Sequence, residues 1–501
     1  MDRRQFLTVA SGVGALGVLY SGLKTDDIKY EVELTESDNL LYIPPILNDP
    51  FSDFYSLPTL TINNKTHSFF HNIVSSSIGL SSSKHQLDYL GPTIKVKRGD
   101  VVKLSIKNQT NEVTMNHWHG LHIPGSVDGS PHQLINPGES WNTTLHIQQE
   151  AATCWYHPLC YELGVQQMYL GYAGLMIVED ENNKSLNMPV TYGLDDIPLI
   201  VQDKNFDSEG KEIFNLNTRY RGNTLVINGT VKPYISVSPG WVRFRIVNAT
   251  QSRILDFSFT NDSIFYQIAT DGGMLNAPIA MQKARVAPGQ RCELMLLIEE
   301  KQQNIAINIA DTFWNDLSVL ALKVLVEDVA CTETVLPNKL RHNSLNVNFN
   351  LVDTLPIVKK ISTDEVETAK KNILEKTIFN MNEIESAVVR DKDEVWVVQV
   401  KGNYTFHISG ASFLVVSING IPPENCGWQD TITIGGRGNE LHQMKILISF
   451  NTTTYRHGVN QFQAAYNPTN LKYHVPYLYH LVSIDEQGVS KIGQFSVIEQ
   501  T

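Results

Sequence analysis

Short runs of Val, Ile, Leu and Thr, broken every few residues by Gly, Pro, Asn or Asp, fill most of this chain, and few stretches hold a helical period. That punctuation predicts an all-β fold. Val101–Asn108, Trp141–Ile147, Gly174–Glu179, Trp241–Val247, Cys292–Ile298, Val395–Val400, Phe413–Ile418 and Met444–Phe450 are representative strands. At 501 residues the chain is too long for a single core, and ordinary domain sizes divide it into about three. Polar residues cluster from Asp180 to Pro189, and the middle β pattern lapses from Cys331 to Asn343. These breaks predict three consecutive Greek-key β-sandwich domains, over 27–182, 183–335 and 336–501. The best helical candidate, Asp364 to Leu374, is assigned to an interdomain crossing or excursion.

The hydrophobic share of 42% gives ample material for these cores. A net charge of −12 disfavours nucleic acid as a partner, because phosphate binding needs a basic face. Residues 1–23 place Arg3 and Arg4 ahead of a short apolar run from Thr8 to Leu23. That run is shorter than the ~20 residues a spanning helix needs, and its glycines weaken a packed helix. It reads as a twin-arginine export signal, with the export machinery as a partner and the periplasm as the destination. Cleavage and anchoring both stay open. Five cysteines, Cys154, Cys160, Cys292, Cys331 and Cys426, cannot all pair. Cys154 and Cys160 flank His157 and are candidates for a bridge or for soft metal ligands, although a buried unreactive thiol is the favoured reading of each.

Four strand-like segments concentrate the chemistry: His117-Trp118-His119, His157-Pro158-Leu159, His407-Ile408-Ser409 and Leu478-Tyr479-His480. Residues i and i+2 of a strand leave the same face, so each segment aims two side chains at one point. Five imidazoles, His117, His119, His157, His407 and His480, occupy these positions and are the candidate metal ligands. The alternative is a set of hydrogen-bonded interface histidines that hold no metal. His122, His132, His146, His442, His457 and His474 read as ordinary polar residues. A Gly-any-Ser-any-Gly elbow, a phosphate loop and a His-Glu-any-any-His segment are all absent from the sequence.

Longer motifs surround these segments. Leu90-Gly91-Pro92-Thr93-Ile94 and Val96-Lys97-Arg98-Gly99-Asp100 lead into Asn116 through Gly125, and Ala152 through Pro158 follows. Leu225–Gly229, Trp241–Asn248, Thr270-Asp271-Gly272-Gly273 and Pro288-Gly289-Gln290-Arg291 mark the middle. Ile418–Pro423 and Gly427-Trp428-Gln429-Asp430-Thr431 mark the last third. From residue 85 onward the chain resembles the multicopper oxidase family, and the resemblance implies that the three sandwiches are cupredoxin-like. Family members carry a blue (type 1) copper that takes electrons from substrate and a three-copper cluster that reduces dioxygen, wired through a His-Cys-His tripeptide.

By that resemblance, Tyr479 stands where the copper-binding cysteine belongs, and Tyr404 and Ile484 stand at the two blue-copper histidine positions. Without a thiolate, strong charge transfer to copper and the covalent path to the cluster are lost. Ordinary laccase turnover is therefore not expected. A phenolate site at Tyr404 and Tyr479 is disfavoured, because phenols with pKa near 10 are poor ligands for copper. His117 and His407 match the type 2 copper ligands, and His119, His157 and His480 match those of one type 3 copper. Leu159, Ser409 and Leu478 replace all three ligands of the other. Losses that empty one ion's ligand set fit poorly with independent decay, since ligands act as sets.

Two functions follow as expectations. The first is a periplasmic copper-binding protein with one or two ions and at most residual oxidoreductase activity. The second is a copper-free envelope scaffold like the family's cell-division branch, with division or envelope proteins as partners. A monomer is expected in either case.

Overall fold

Strand propensity is satisfied almost everywhere: six sheets form three face-to-face pairs, each closing over its own apolar core. The computed structural model describes residues 35, 38–47, 57–159, 161–214, 221–299, 304–327, 334–345, 347–363, 377–378, 381–423, 427–436, 438, 440–454, 474–485 and 490–499. The expected export signal, the helical candidate Asp364–Leu374, His457, Cys160, Cys331 and Cys426 lie outside these residues.

In the first pair, one sheet runs in the order Ile73–Ser81, Thr59–Phe70, Val101–Asn108, Ser140–His146. Its partner runs Ile94–Lys97, Gly174–Glu179, Ala152–His157, His117–His119. Leu104, Ile106, Trp118, Tyr156 and Met176 fill the space between them. Alternation explains Trp118: its neighbours on either side face the opposite way, so the ring goes to the core while His117 and His119 leave it.

The middle pair holds the largest sheets, built around Asp196–Phe206, Gly240–Asn248 and Arg291–Ile298 on one side and Leu317–Val326 and Ile305–Asp311 on the other. Asn39–Leu40 pairs in parallel with Pro233–Val237, so a stretch well ahead of the first sandwich lends a strand to the middle one. In the last pair, Glu394–Lys401, Leu441–Ile448 and Phe413–Ile418 face Asn403–Ile408, Tyr477–Ser483 and Ser490–Ile498. Trp396, Phe406, Phe413, Phe450 and Phe495 pack between these sheets.

Polar joints fix the pairs to one another. Between the first and middle sandwiches, the Glu293 carboxylate accepts from Thr153 Oγ1 at 2.6 Å, Arg245 Nη1 at 2.9 Å and Arg243 Nε at 2.8 Å. Asp196 completes the network by accepting from Arg245 Nε at 2.7 Å. Between first and last sandwiches, the Tyr477 hydroxyl donates to the Ile123 carbonyl at 2.7 Å. His132 Nε2 meets Gln494 at 2.9 Å, and His122 Nε2 meets Ser412 at 3.0 Å. Both histidines, expected only to be ordinary polar residues, pin one sandwich to another.

Burial alone pushes the Glu293 carboxyl up, but Arg243 and Arg245 outweigh it and hold the group at about 2. A pKa lowered on folding stabilises the protein above the ordinary carboxylate range, and that contribution is lost as pH falls through the folded value. Glu293→Gln should therefore lower stability by about 3–5 kcal/mol at neutral pH, because buried Arg243 loses its close counter-charge and Arg245 keeps only Asp196. Urea unfolding checks this, with the gap between variant and parent closing as pH is lowered from about 4.5 toward about 2.

Candidate metal centre

Strand register assembles the histidines. His117 lies directly opposite His157 in one antiparallel ladder, and His407 lies directly opposite His480 in another. Opposed residues of an antiparallel pair leave the same face, so each ladder presents two imidazoles side by side. His119, two residues from His117, adds a third to the first ladder. The two faces meet at the joint between the first and last sandwiches. Ring centroids there are 5.5 Å apart for His117 and His407, 3.9 Å for His119 and His407, and 5.3 Å for His119 and His157. His480 stacks 5.9 Å from His407. All five predicted residues are buried and converge. One ring nitrogen each from His117, His119 and His407 falls within 4.8 Å of the others, and His157 joins through His119.

Four of the rings are anchored through an outward nitrogen. His117 Nδ1 meets the Asp128 carbonyl at 3.1 Å. Gly129, with φ +80°, makes the turn that allows this; a Cβ there would fall 1.7 Å from the Asn116 carbonyl oxygen. His157 Nδ1 meets the Pro158 carbonyl at 2.9 Å, and His407 Nδ1 meets the Asp430 carbonyl at 3.0 Å. His119 Nε2 meets Asp430 Oδ1 at 3.0 Å and Thr431 Oγ1 at 2.9 Å.

Inward, the hydrogen bonding does not close within the protein. Nε2 of His117, His407 and His480 is buried with no hydrogen-bond partner among the described residues. His119 Nδ1 and His157 Nε2 face one another at 3.1 Å. Carbonyl and carboxylate partners can only accept, so the single hydrogen of each neutral ring goes outward, to Pro158 from His157 and to Asp430 from His119. Two lone pairs then meet. A third proton would relieve them, but burial first, and then neighbouring charged rings and Arg291, hold both His119 and His157 well below the usual imidazole range. Burial lowers His407 and His480 in the same direction. A metal cation satisfies such a set without a proton. Ligand nitrogens in a tetrahedral site with bonds of 2.0–2.1 Å stand roughly 3.3 Å apart, close to the His119–His157 spacing. Imidazole donors suit copper and zinc.

Beside the nest, the expected replacements are apolar or neutral. Leu478 is fully buried, Leu159 is half-buried, and the Ser409 hydroxyl is buried with no partner among the described residues. At the position expected for electron entry, Tyr479 is buried in the last core and its hydroxyl donates to the Glu385 carboxylate at 2.8 Å. Lys359 Nζ sits 5.2 Å above its ring. Tyr404 and Ile484 are buried as well. Cys154 and Cys292 are free, buried thiols, and burial pushes Cys154 up to about 12. Cys154 forms no bridge in this structure.

Sequence reasoning singled out the ligands and missed what holds them. Arg291 donates through Nη1 and Nη2 to the two oxygens of Asp430, both at 2.6 Å, and through Nε to the Thr153 carbonyl at 3.1 Å. Asp271 accepts from the backbone N–H groups of Asp430 and Thr431 at 3.3 and 3.2 Å. Each of these residues stood in a motif that carried the resemblance, and that was the available signal.

Residues 85–183 match the multicopper oxidase family. Over longer spans the chain is similar to proteins named cell division protein FtsP. It is 31% identical to that of Xenorhabdus nematophila, over 82% of this chain and 83% of the relative. It is 30% identical to that of Photorhabdus laumondii, over 99% and 98% respectively. Among solved structures, a laccase-like multicopper oxidase CueO from Ochrobactrum sp. superposes with a TM-score of 0.76 at 28% identity, over 91% of this chain and all of the other. The McoA multicopper oxidase of Aquifex aeolicus shares the fold, with a TM-score of 0.74 at 21% identity, over 92% and 99%.

Tyr479 fits only because its cross-strand partner is glycine: a Cβ on Gly493 would fall 2.2 Å from the ring. Gly493→Ala should cost about 1–3 kcal/mol through overpacking. In a Tyr479→Cys background the same change should cost distinctly less. A double-mutant cycle by thermal unfolding reads this coupling.

Proposed function

The chain belongs to the multicopper oxidase family, and from that premise we propose that it is an exported, copper-holding relative of the FtsP cell-division proteins with no laccase-type turnover. One observation carries this reading: the inward nitrogens of five buried histidines lack enough hydrogens to satisfy one another. Such a set is stable when a cation accepts the lone pairs. His117, His119, His157, His407 and His480 would hold one or two copper ions, and when bound, copper supplies charge neutralisation and a one-electron couple. Asp128, Pro158 and Asp430 accept the outward hydrogens of His117, His157, His119 and His407, which fixes which nitrogen of each of these rings is left to bind.

Electron entry is a separate matter. Tyr479, Tyr404 and Ile484 leave no thiolate–imidazole set at the family's entry position, and Leu159, Ser409 and Leu478 remove the donors of one cluster ion. Copper held here ties the first sandwich to the last, because its ligands come from both. The paired arginines at the N-terminus and the FtsP relatives support work in the periplasm, on the division machinery or another envelope assembly.

A second reading is favoured by the names of those relatives: a metal-free division scaffold whose histidines serve only the interface. Metal content separates the two. Protein exported and folded in copper-replete cells should carry one to two ions per chain and lack the intense blue absorption of a thiolate site. His119→Ala should lower that content at least several-fold. Elemental analysis finding no metal, with thermal stability indifferent to copper and chelator, would establish the scaffold instead.

A further inference from the structure

We infer that the middle sandwich, which supplies no nest histidine, sets the nest through Asp430: held by Arg291, Asp430 is the positioning residue that fixes the tautomers of His119 and His407. The consequence for affinity rests on the copper-holding reading; the tautomers themselves do not.

Asp430 presents two kinds of acceptor to two different rings. Its carboxylate oxygen Oδ1 takes the His119 Nε2 hydrogen, and its backbone carbonyl takes the His407 Nδ1 hydrogen. Neither oxygen has a hydrogen to give while the side chain is ionised, so each ring must be the donor. His119 is thereby left with its lone pair on Nδ1 and His407 with its lone pair on Nε2, both on the nest side. Thr431 Oγ1 lies 2.9 Å from His119 Nε2 and 3.1 Å from His407 Nδ1, and its own hydrogen goes to Asp430 Oδ1 at 2.8 Å. That donation turns its oxygen to the rings as a further acceptor.

Keeping Asp430 ionised is the task of the middle sandwich. Arg291 donates through Nη1 and Nη2 to both carboxylate oxygens at 2.6 Å, and a guanidinium fork, which has only hydrogens to give, pairs with the ionised carboxylate. Asp271, from the same sandwich, grips the backbone on either side of the Asp430 Cα through the N–H groups of residues 430 and 431. A residue in the middle third of the chain thus decides, through one intermediary, which nitrogen His119 offers, while the Asp430 carbonyl sets that of His407.

Removing the side-chain acceptor at position 430 breaks this logic. Without Oδ1, the Thr431 hydroxyl has no carboxylate to donate to, and its hydrogen turns to His119 Nε2, which moves that ring's hydrogen to Nδ1, pointing at His157. Selective 15N-histidine labelling with long-range 15N–1H correlation reads the tautomers directly in metal-free full-length protein. His119 should carry its hydrogen on Nε2 and His407 on Nδ1. In Asp430→Ala, His119 should change form, and titration with Cu(II) against a competing chelator should show affinity reduced about 10–100-fold. His119 with its hydrogen on Nδ1 in the parent protein overturns the inference, as does an Asp430→Ala variant that keeps both form and affinity. If that variant does not fold, the parent spectrum alone decides. Parent protein that shows the expected tautomers yet takes up no Cu(II) leaves the positioning role standing and removes the copper-holding reading.

Discussion

Asp430 and Arg291 form a buried ion pair at a point where all three sandwiches touch. Arg291 belongs to a strand of the middle sandwich and donates to the Thr153 carbonyl in the first, while Asp430 belongs to the last and takes the hydrogen of His119 in the first. Both members are almost completely removed from solvent. A pair this buried contributes little net stability against an apolar replacement, but removing either member strands a charge at a cost of about 3–5 kcal/mol. The geometry of the junction is therefore strongly enforced even though its net energy is small. The histidine nest inherits that geometry, since two of its rings hang from residues 430 and 431.

The nest and the former electron-entry position have changed in opposite ways. At the nest, four rings keep outward hydrogen bonds that leave their lone pairs inward, and His480 Nε2 has no partner among the described residues, while Leu159, Ser409 and Leu478 stand at the positions the resemblance gives to a third ion. At the entry position a large phenol has been absorbed into the core, with Gly493 making room for its ring and Glu385 taking its hydroxyl hydrogen. Such packing is a settled core, remote from an open ligand set. Donors able to hold an ion stand beside a position with none to feed it electrons, and on the proposed reading copper would serve for what it joins more than for what it turns over.

The fold was largely legible in the sequence. Predicted strands such as Val101–Asn108, Gly174–Glu179 and Phe413–Ile418 coincide with the observed ones, because β-branched runs with Gly and Asn at their ends leave few alternatives. The helix Tyr161–Tyr169 was missed; its mixed polar and apolar residues follow a strand too closely to stand out by period. The five candidate histidines were legible through i, i+2 spacing. Their anchors were not, because holding a ligand in place depends on which backbone carbonyl or carboxylate a distant fold brings alongside. Asp128 reaches His117 across 11 positions of sequence, whereas Asp430 reaches His119 across 311. Spacing can reveal the first kind of contact and is blind to the second.

Anomalous scattering collected on either side of the copper absorption edge, from crystals of protein exported in copper-replete cells, addresses the central claim at the atoms concerned. The account predicts an anomalous peak among His117, His119 and His407, present above the edge and lost below it. Rings that keep their outward hydrogen bonds, with no peak anywhere among the five histidines, would contradict it.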